Sequence, residues 1–407
     1  MASFIITGNK PLVGEISVGG SKNAVLPIIF ATLALRGVSV IEGVPDITDV
    51  DTALSIIKDF GAKITRTGAS LTVDTRELEY KPPCAALTSR IRASTYLLGA
   101  SLARFKRADL GDFGGCNFQP RPIDLHLYAF SCLGAELVGK SLVLTKKRAG
   151  DIYFSKPSVG ATVNALILSA TVPITTRIYG YAKEPHIFTL AAFLSSAGAE
   201  ITFFEDCISV SGKALHGARV EIPPDPIECG TYVLASLITG GAVKIKNPPS
   251  DGLFSLLSPL LSSGVSLDGK DGSLLLTGKL NAPVSVIAAP HPAFPTDLQP
   301  PLAAYLGAAQ GGEISDTVFP ERFGYLSELQ KFGLKAEYAY GKATVYPSVY
   351  HPTVVNAPDL RGGAALVLAA LCADGTSVIN NADAVLRGYG KITQKLRSLG
   401  ADITETI

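Results

Sequence analysis

One pattern recurs six times along the 407-residue chain: a helix-length segment, a glycine, and then a segment in which apolar and polar residues alternate. A glycine in this position is typical of the C′ site of a helix, where a left-handed backbone ends the helix and leads into a strand. Because the copies are evenly spaced, six units of similar size fill the chain. The glycines, which lie 64 to 73 residues apart, are Gly61, Gly134, Gly198, Gly264, Gly333 and Gly400.

Each glycine is preceded, by about 35 to 40 residues, by a second helix-length segment that is apolar on every side. Such a helix belongs in the interior, whereas the helix directly before the glycine, such as 51–58, is amphipathic and half exposed. We therefore predict an α/β fold, a two-domain inside-out α/β barrel of six βαβαββ-like repeats, with three repeats per domain around their buried helices. The buried segments are 24–31, 94–100, 161–168, 230–235, 298–305 and 363–370.

The two ends of the chain predict how the domains are connected. The sixth unit stops after its first strand, while 4–18 is similar to 274–286, the second half of a unit. The first segment is thus expected to complete the sixth unit. This predicts a continuous domain at 22–227 and a discontinuous one at 1–21 plus 228–407, with the two chain crossings as hinges. Proteins of this build usually close around a ligand in the cleft between their domains.

Composition excludes several classes of function. Lysine and arginine number 36 against 35 acidic residues, so bulk charge favours neither nucleic acid nor an anionic membrane, and any anion must be bound by a local cluster. The N-terminus has no signal-peptide pattern, and no apolar run reaches the roughly 18 residues of a membrane span. The six cysteines show no metal-binding spacing such as Cys-x-x-Cys. We therefore expect reduced cysteines in a cytoplasmic protein.

The segment 114–126 concentrates chemistry in a few residues. Two glycines and two prolines indicate a shaped loop, not a helix or strand, and the segment contains Cys116, Arg121, Asp124 and His126. A free cysteine is most often a small buried hydrophobe. Alternatively, a thiol in a glycine-flanked loop beside a cation can be reached, and its pKa can be tuned. The motifs below favour this reactive thiol.

Polar clusters stand immediately before the buried helices. Helix N-termini carry free backbone N–H groups and a partial positive charge, and they therefore favour anions. Any single cation there could be a solvated side chain beside a capping motif. Cations at four equivalent helix ends instead predict a site for several anionic groups. These cations are Lys22, Arg92, Lys156 and Arg361.

Together the motifs resemble those of the enolpyruvyl transferases. The cysteine loop with its arginine is specific to the branch that uses UDP-N-acetylglucosamine. The branch that makes enolpyruvylshikimate phosphate lacks this loop but shares the six-unit, two-domain fold. The resemblance runs from end to end and rests on the runs 20–23, 92–94, 114–116, 121–126, 158–162, 291–297, 359–361 and 387–389.

The resemblance implies phosphoenolpyruvate and UDP-N-acetylglucosamine as substrates, joined by addition and then elimination of phosphate, with no cofactor and no metal. Cys116 resembles the family's acid, or the group that assists proton transfer and product release, and Asp297 resembles its base. Because the two lie in opposite predicted domains, closure is expected before chemistry. Five cations are candidates to hold phosphoenolpyruvate, the arginines by bidentate forks. They are Lys22, Arg92, Arg121, Arg361 and Arg387.

The resemblance also implies a binding surface for the nucleotide sugar. Asp124 is expected to face the uracil, and backbone amides near Ser158 are expected to contact the diphosphate. The reaction would be the first committed step of peptidoglycan precursor synthesis, and fosfomycin would alkylate a thiolate-like Cys116. The residues implied in UDP-sugar binding are Asn23, Arg92, Arg121, Pro122, Ile123, Asp124, Leu125, Lys156, Ser158, Val159, Gly160, Thr296, Asp297 and Val318.

Two positions depart from the family pattern. His186 stands where the family usually has a glutamate, two residues after Glu184, and Gly390-Lys391 replace the usual acidic residue after Tyr389. His186 could be a surface substitution without consequence. The departures also leave open a paralogue that uses another acceptor, or a nucleotide-sugar-binding regulator that has lost turnover. Phosphate release that depends on the acceptor distinguishes an enzyme from such a regulator.

Overall fold

The structure, a computed structural model, describes residues 2–115, 119–148 and 150–406. The predicted acid, Cys116, lies outside the described residues. The helices α1 to α14 are, in chain order, Lys22–Ala31, Thr48–Asp59, Ala85–Thr88, Tyr96–Phe105, Asp124–Cys132, Val159–Ser169, Pro185–Ser196, Pro226–Ile238, Phe254–Ser262, Gln299–Ala308, Leu326–Lys331, Leu360–Cys372, Asp383–Leu386 and Ile392–Ser398.

The strands β1 to β23 follow the same chain order. They are Ser3–Thr7, Val13–Ser17, Val38–Glu42, Lys63–Thr67, Ser70–Asp74, Arg107–Asp109, Ala135–Val138, Ser141–Leu144, Ile152–Tyr153, Thr176–Tyr179, Glu200–Phe203, Cys207–Ser211, Arg219–Glu221, Ala242–Lys246, Ser266–Asp268, Leu274–Thr277, Val284–Ala288, Gly312–Asp316, Lys335–Ala339, Lys342–Tyr346, Val354–Asn356, Thr376–Asn380 and Asp402–Thr406.

All six repeat glycines occupy the predicted position. Each is the second residue after the end of a surface helix (α2, α5, α7, α9, α11 or α14), and a strand begins one or two residues later. Their φ angles lie between 95° and 115°, a region that other residues rarely adopt. The prediction that these glycines end the helices is confirmed.

The repeat is visible in the sheets. In the sheet of order β17-β18-β20-β19, the first two strands are parallel and the other pairs are antiparallel. The parallel pair needs a crossover, which is the buried helix α10, while α11 leads from β18 to the β19–β20 hairpin. This is the predicted βαβαββ order. Five of the six sheets that the described residues form have four strands, and the inside-out α/β fold is confirmed.

One repeat has a smaller sheet than predicted. Its order is β6-β8-β7, and where the other repeats have their first strand, the segment 75–91 forms only the short helix α3. Pro82 and Pro83 interrupt this segment. Proline lacks the N–H group that a paired strand must donate, so this edge strand does not form.

The N-terminal segment serves two sheets. Strand β1 pairs antiparallel with both β22 and β23 and so completes the sixth repeat, as predicted. Strand β2 instead pairs parallel with β14 and begins a different sheet. The prediction that the whole segment belongs to the sixth repeat is therefore wrong for β2. The turn at 8–12 separates the two strands, just as 278–283 separates β16 from β17, which also lie in different sheets.

The chain forms two compact units, Met1–Gly19 with Pro224–Ile407, and Gly20–Pro223. We call them the discontinuous and the continuous unit. These limits lie a few residues before those drawn from the sequence, because α8 starts earlier than its apolar run. Asp225 is the N-cap of α8, where its side chain accepts two backbone hydrogen bonds, and its own N–H donates to the carbonyl of Gly19 at 2.8 Å.

Each unit has its own core, built on three helices. In the continuous unit these are α1, α4 and α6, and in the discontinuous unit α8, α10 and α12. Every residue of α8 from Ile227 to Ile238 is buried, and so is every residue of α12 from Leu360 to Leu371. Helices buried on all sides have no polar face to offer water. Their charged groups are therefore confined to the helix ends.

Three further features concern the described residues only. None of their helices is long and apolar enough to cross a membrane. Their histidine, cysteine, aspartate and glutamate side chains form no group of three or more that could hold a metal. The described cysteines are free thiols: Cys84, Cys132, Cys207, Cys229 and Cys372.

Candidate active site

Asp297 lies where the chain enters the buried helix α10 of the discontinuous unit. It is the middle residue of a 3-10 turn, Thr296–Leu298, that directly precedes α10. Its Oδ2 accepts hydrogen bonds from Nη2 and Nε of Arg361 at 2.9 and 3.1 Å, and its Oδ1 accepts one from Nη1 of Arg322 at 2.9 Å. The arginine side chains are 3% and 4% exposed, against 26% for Asp297. Two buried guanidinium groups thus bind the carboxylate, while part of the Asp297 side chain stays accessible to solvent.

The two arginines keep Asp297 ionised. Burial alone would raise its pKa, but the positive charges and hydrogen bonds of Arg361 and Arg322 outweigh burial and hold the pKa of this carboxyl well below its usual range. The effect is mutual, because Asp297 raises the pKa of Arg361 against the opposing effect of burial. A carboxylate in this setting is a weak base for as long as both guanidinium groups hold it.

A second carboxylate, Asp316, organises the loop after β18. Its Oδ2 accepts a hydrogen bond from the hydroxyl of Thr296 at 2.6 Å. Its Oδ1 accepts from the N–H groups of Val318 and the next residue at 2.9 and 2.7 Å. Nη1 of Arg322 also donates to the Thr296 hydroxyl at 3.1 Å. The predicted residues Thr296 and Val318 are therefore brought to Asp297 through Asp316 and Arg322.

Arg361 stands at the start of α12. The helix is capped by Asp359, whose Oδ1 accepts hydrogen bonds from the N–H groups of Arg361 and the next residue at 2.8 and 3.0 Å. The Arg361 guanidinium lies 5.2 Å from the centre of the Tyr389 ring, a cation–π contact. The Tyr389 hydroxyl in turn hydrogen-bonds the hydroxyl of Thr231 at 2.9 Å. Arg387, at the end of α13, lies two residues before Tyr389.

In the continuous unit, Lys22 is the first residue of α1 and is held by a carboxylate. Its Nζ forms an ion pair with Oδ2 of Asp49 at 2.6 Å, and the two side chains are 11% and 4% exposed. Asp49 lies in the first turn of α2, where the helix dipole favours an acidic side chain. Asn23 follows Lys22 in the first turn of α1.

The predicted cations Arg92 and Arg121 adjoin each other. Nη2 of Arg92 donates to the backbone carbonyl of Arg121 at 2.5 Å, and burial lowers the pKa of Arg92. A Cβ added to Gly115 would lie 3.0 Å from Cβ of Arg92 and 3.6 Å from Nη1 of Arg121. The structure therefore brings both arginines to the residue that immediately precedes Cys116.

The residues predicted to contact the uridine lie at the start of α5, and those predicted to contact the diphosphate lie at the start of α6. Asp124 and Leu125 form the first turn of α5, so residues 124–126 are not a loop as the sequence predicted. The helix forms because the chain after Pro122 contains no glycine or proline before Gly134, and because an acidic residue suits a first helical turn. Pro122 and Ile123 directly precede it.

Helix α6 begins with the predicted diphosphate contacts. Ser158 is its N-cap, with Oγ accepting a hydrogen bond from the N–H of Ala161 at 3.4 Å. Val159 and Gly160 form the first turn, so their N–H groups lie at the positive end of the helix. Lys156 is exposed in the preceding loop.

His126 links α5 to α6. Its Nδ1 accepts a hydrogen bond from Nδ2 of Asn164 at 2.9 Å, since Oδ1 of Asn164 is occupied by the N–H of Gly99 at 2.7 Å. The proton of the neutral ring is therefore on Nε2. A Cβ on Gly160 would lie 2.8 Å from Cε1 of His126. Burial, followed by the charge of Arg92, lowers the pKa of His126 to about 4.

A neutral His126 makes stability depend on pH. Its folded pKa of about 4 lies below the ordinary value of about 6.5, so the unfolded chain takes up the proton first as the pH falls. Stability is then lost between those two pH values, by up to about 3 kcal/mol. In His126→Asn, whose oxygen can still accept from Asn164, this loss should disappear when urea unfolding is compared at pH 7 and pH 5. His216→Asn, at an exposed histidine, is the control; unchanged pH dependence in His126→Asn would contradict the argument.

Comparison with known proteins gives the family. Residues 6–396 match the family model described as EPSP synthase (3-phosphoshikimate 1-carboxyvinyltransferase). The chain belongs to this family. The predicted resemblance to the enolpyruvyl transferases is thereby confirmed.

The alignments with curated relatives cover almost the whole length of this EPSP synthase family member. It is 40% identical over 416 residues to UDP-N-acetylglucosamine 1-carboxyvinyltransferase 1 of Streptococcus agalactiae, with 99% of each chain covered. It is 38% identical over 414 residues to UDP-N-acetylglucosamine 1-carboxyvinyltransferase 2 of Staphylococcus aureus, covering 99% of this chain and 98% of that one.

Solved structures share the fold. The enolpyruvyl transferase NikO from Streptomyces tendae superimposes with a TM-score of 0.88 at 26% identity, covering 100% of this chain and 99% of that one. An EPSP synthase from Acinetobacter baumannii gives a TM-score of 0.74 at 17% identity, with both chains fully covered. The second likeness supports the fold alone.

Four residues described above were not predicted from the sequence: Arg322, Asp316, Asp49 and Asn164. Arg322 lies in the loop between β18 and α11, where no helix start marks it. Asp49 was part of an ordinary amphipathic helix. Asn164 carried the clearest signal, because an amide inside a helix that is apolar on every side must find hydrogen-bond partners in the core.

Proposed function

We propose that this family member transfers the enolpyruvyl group of phosphoenolpyruvate to the 3-hydroxyl of UDP-N-acetylglucosamine and releases phosphate. The observation that carries the proposal is the Asp297 site, an ionised carboxylate at a buried helix start, held by the guanidinium groups of Arg361 and Arg322. The whole-length relatives that carry this activity in their names support the choice of acceptor.

The first part of the reaction is the capture of phosphoenolpyruvate. This substrate carries a phosphate and a carboxylate, and arginine forks suit both groups. Binding both ends orients the vinyl carbons between them, which lowers the entropic part of the barrier. The side chains assigned to this role are Lys22, Arg92, Arg121, Arg361 and Arg387.

The second part is addition followed by elimination. The thiol of Cys116 donates a proton to the methylene carbon, and the neighbouring carbon becomes positive. The acceptor's hydroxyl oxygen bonds to that carbon while Asp297 takes the hydroxyl proton. In the elimination, the Cys116 thiolate takes a proton back from the new methyl group, the bond from carbon to the phosphate oxygen breaks as the double bond re-forms, and the phosphate departs with the proton that Asp297 had taken.

Most contacts of the nucleotide sugar are assigned to the helix starts of the continuous unit, and the others to Thr296 and Val318 of the discontinuous unit. Arg121 to Leu125 would take the uridine, while Lys156 and the N–H groups at the start of α6 would take the diphosphate. Asn23, Thr296 and Val318 would contact the sugar. We place the reaction in the cytoplasm, as the first committed step of peptidoglycan precursor synthesis.

Another acceptor is the second candidate. It is favoured by the departures at His186 and at Gly390-Lys391. His186 lies in the first turn of α7 beside Glu184, whose charge contributes to raising the pKa of Tyr96, after burial. The departure therefore lies two residues from a carboxylate whose charge acts on Tyr96 together with the charges of Arg92 and Arg121.

The test is the release of phosphate from phosphoenolpyruvate with and without UDP-N-acetylglucosamine. Release should require the acceptor and should fall at least about 100-fold in Cys116→Ala, which lacks the acid. Fosfomycin should inactivate the wild type but not the residual activity of Cys116→Ala. Cys84→Ala, at an exposed thiol, is the matched control and should behave as wild type.

The other outcomes separate the alternatives. Saturable binding of UDP-N-acetylglucosamine without phosphate release would favour the regulator. Release with a different nucleotide sugar only would favour the paralogue. Unchanged turnover and inhibition in Cys116→Ala would show that the acid is another group.

A further inference from the structure

Asp297 accepts hydrogen bonds from two arginines that differ in their other hydrogen-bond partners. Arg322 uses Nη1 for both Asp297 and the hydroxyl of Thr296, which itself donates to Asp316. That arginine is therefore tied into the loop after β18. Arg361 directs both Nε and Nη2 to the same oxygen of Asp297, and its guanidinium also interacts with the Tyr389 side chain.

The remaining nitrogen of Arg361 is available to an anion. Nη1 is buried and makes no hydrogen bond within the residues that the structure describes. A buried guanidinium N–H group without a partner is costly. An anionic ligand that reached Nη1 would satisfy it, and it would compete with Asp297 for the charge of Arg361.

The neighbouring carboxylates do not replace Asp297 as the negative charge that balances Arg361 and Arg322. Asp316, Asp359 and Asp225 each accept two backbone N–H hydrogen bonds at the start of a helix or turn. Their negative charges are thus largely compensated by backbone groups. Asp297 is the carboxylate whose hydrogen bonds come from both guanidinium groups.

We propose that phosphoenolpyruvate binding moves Arg361 from Asp297 to the substrate carboxylate, while Arg322 keeps Asp297 in place, so that Asp297 is released to take a proton only after this substrate has bound. The inference rests on the proposed function and adds an order to it. Arg322 is a positioning residue, because it acts through Asp297. The base is thus withheld until phosphoenolpyruvate is present.

The proton balance follows from the charges. With Arg361 engaged by the substrate, one of the two cations that depress the basicity of Asp297 has a new partner, so the pKa of Asp297 rises toward its ordinary value. The hydroxyl proton of the acceptor then moves to Asp297 as the oxygen–carbon bond forms. Other titratable groups near the two arginines are Asp225, Asp316, Asp359, Tyr325 and Tyr389.

The closing experiment measures phosphoenolpyruvate binding by titration calorimetry. Asp297→Asn removes the competing charge but keeps the shape of the side chain. It should lose turnover and yet bind phosphoenolpyruvate about tenfold more tightly than wild type, which corresponds to one charged hydrogen bond regained. Adding Arg361→Gln should abolish this gain, whereas adding Arg322→Gln should leave most of it. Asp297→Ser serves as a second variant if the asparagine variant folds poorly.

A matched control and a second readout keep the test sharp. Glu42→Gln breaks a carboxylate–arginine pair of the same length, 2.9 Å to Arg219, whose side chain is 74% exposed, and it should leave binding unchanged. In the wild type, the acid limb of kcat should lie at higher pH than that of kcat/KM for phosphoenolpyruvate, because these profiles report the complex and the free enzyme.

The outcomes distinguish a failure of the Arg361 exchange from a failure of the proposed function. If the wild type shows acceptor-dependent release but Asp297→Asn binds phosphoenolpyruvate no more tightly, the exchange is refuted and the proposed function stands. The same holds if the gain persists with Arg361→Gln. If the wild type neither binds phosphoenolpyruvate nor releases phosphate in the presence of UDP-N-acetylglucosamine, both the proposed function and the exchange are refuted.

Discussion

Asp297→Ala is expected to lower the rate of acceptor-dependent phosphate release by about 10²- to 10⁴-fold, the contribution usual for a general base. The carboxylate is the proposed acceptor of the hydroxyl proton. Its removal also leaves Arg322 and Arg361 buried side by side without the charge between them, which should cost about 3 kcal/mol of folding stability. The measurements are kcat for phosphate release and the free energy of unfolding.

Asp297→Asn separates these two effects. An amide oxygen still accepts a hydrogen bond but is not a base, so turnover should fall as far as in the alanine variant while the loss of stability is smaller. Glu42→Gln removes the carboxylate partner of Arg219, a side chain that is 74% exposed, so kcat and the free energy of unfolding should stay near those of the wild type. Substantial turnover in either Asp297 variant, in folded protein, would assign the base to another residue.

Lys395→Met is expected to destabilise the protein by about 3 kcal/mol at pH 7, because it leaves the buried Glu228 carboxylate without its counter-charge. Nζ of Lys395 lies 2.6 Å from Oε1 of Glu228, whose side chain is 6% exposed. Oε2 of the same carboxylate accepts the N–H of Gly19 at 2.6 Å. The pair therefore connects the last residue of the N-terminal segment, Gly19, to helix α8 within the discontinuous unit.

The pH dependence of this loss identifies its cause. Burial raises the pKa of Glu228 even with Lys395 present, and without the lysine it should rise further. A carboxyl with a raised folded pKa gains stability as the pH falls through that value, so the defect of Lys395→Met should shrink between pH 7 and pH 5. The measurement is the urea unfolding free energy at both values.

An exposed pair provides the control. Lys10 lies 3.5 Å from Asp402, and both side chains are more than half exposed, so Lys10→Met should change stability by less than about 1 kcal/mol. A defect in Lys395→Met that is equally small, or that does not change with pH, would argue that Glu228 is not maintained by charge pairing.

The site shows why sequence reasoning reached some residues and missed others. Lys22, Arg92 and Arg361 could be chosen as candidates because they stand at helix starts, which the apolar runs reveal. Arg322 and Asp49 were missed because nothing in their local pattern distinguishes them from surface charges. Arg322 contacts the candidate residue Asp297, and Asp49 contacts the candidate residue Lys22; both contacts join residues that are far apart in the chain.

Local patterns in the chain were enough to predict the repeat, the six helix-ending glycines, the interior helices and hence the inside-out α/β fold. All of these depend on local periodicity, which a chain shows before it folds. Three features became visible only in the folded chain: β2 pairs outside the sixth repeat, the sheet after Pro82 and Pro83 lacks one strand, and Arg322 and Arg361 both bind Asp297. Those outcomes depend on which distant segments meet, because hydrogen bonds and buried charges are satisfied by neighbours in space and not in sequence.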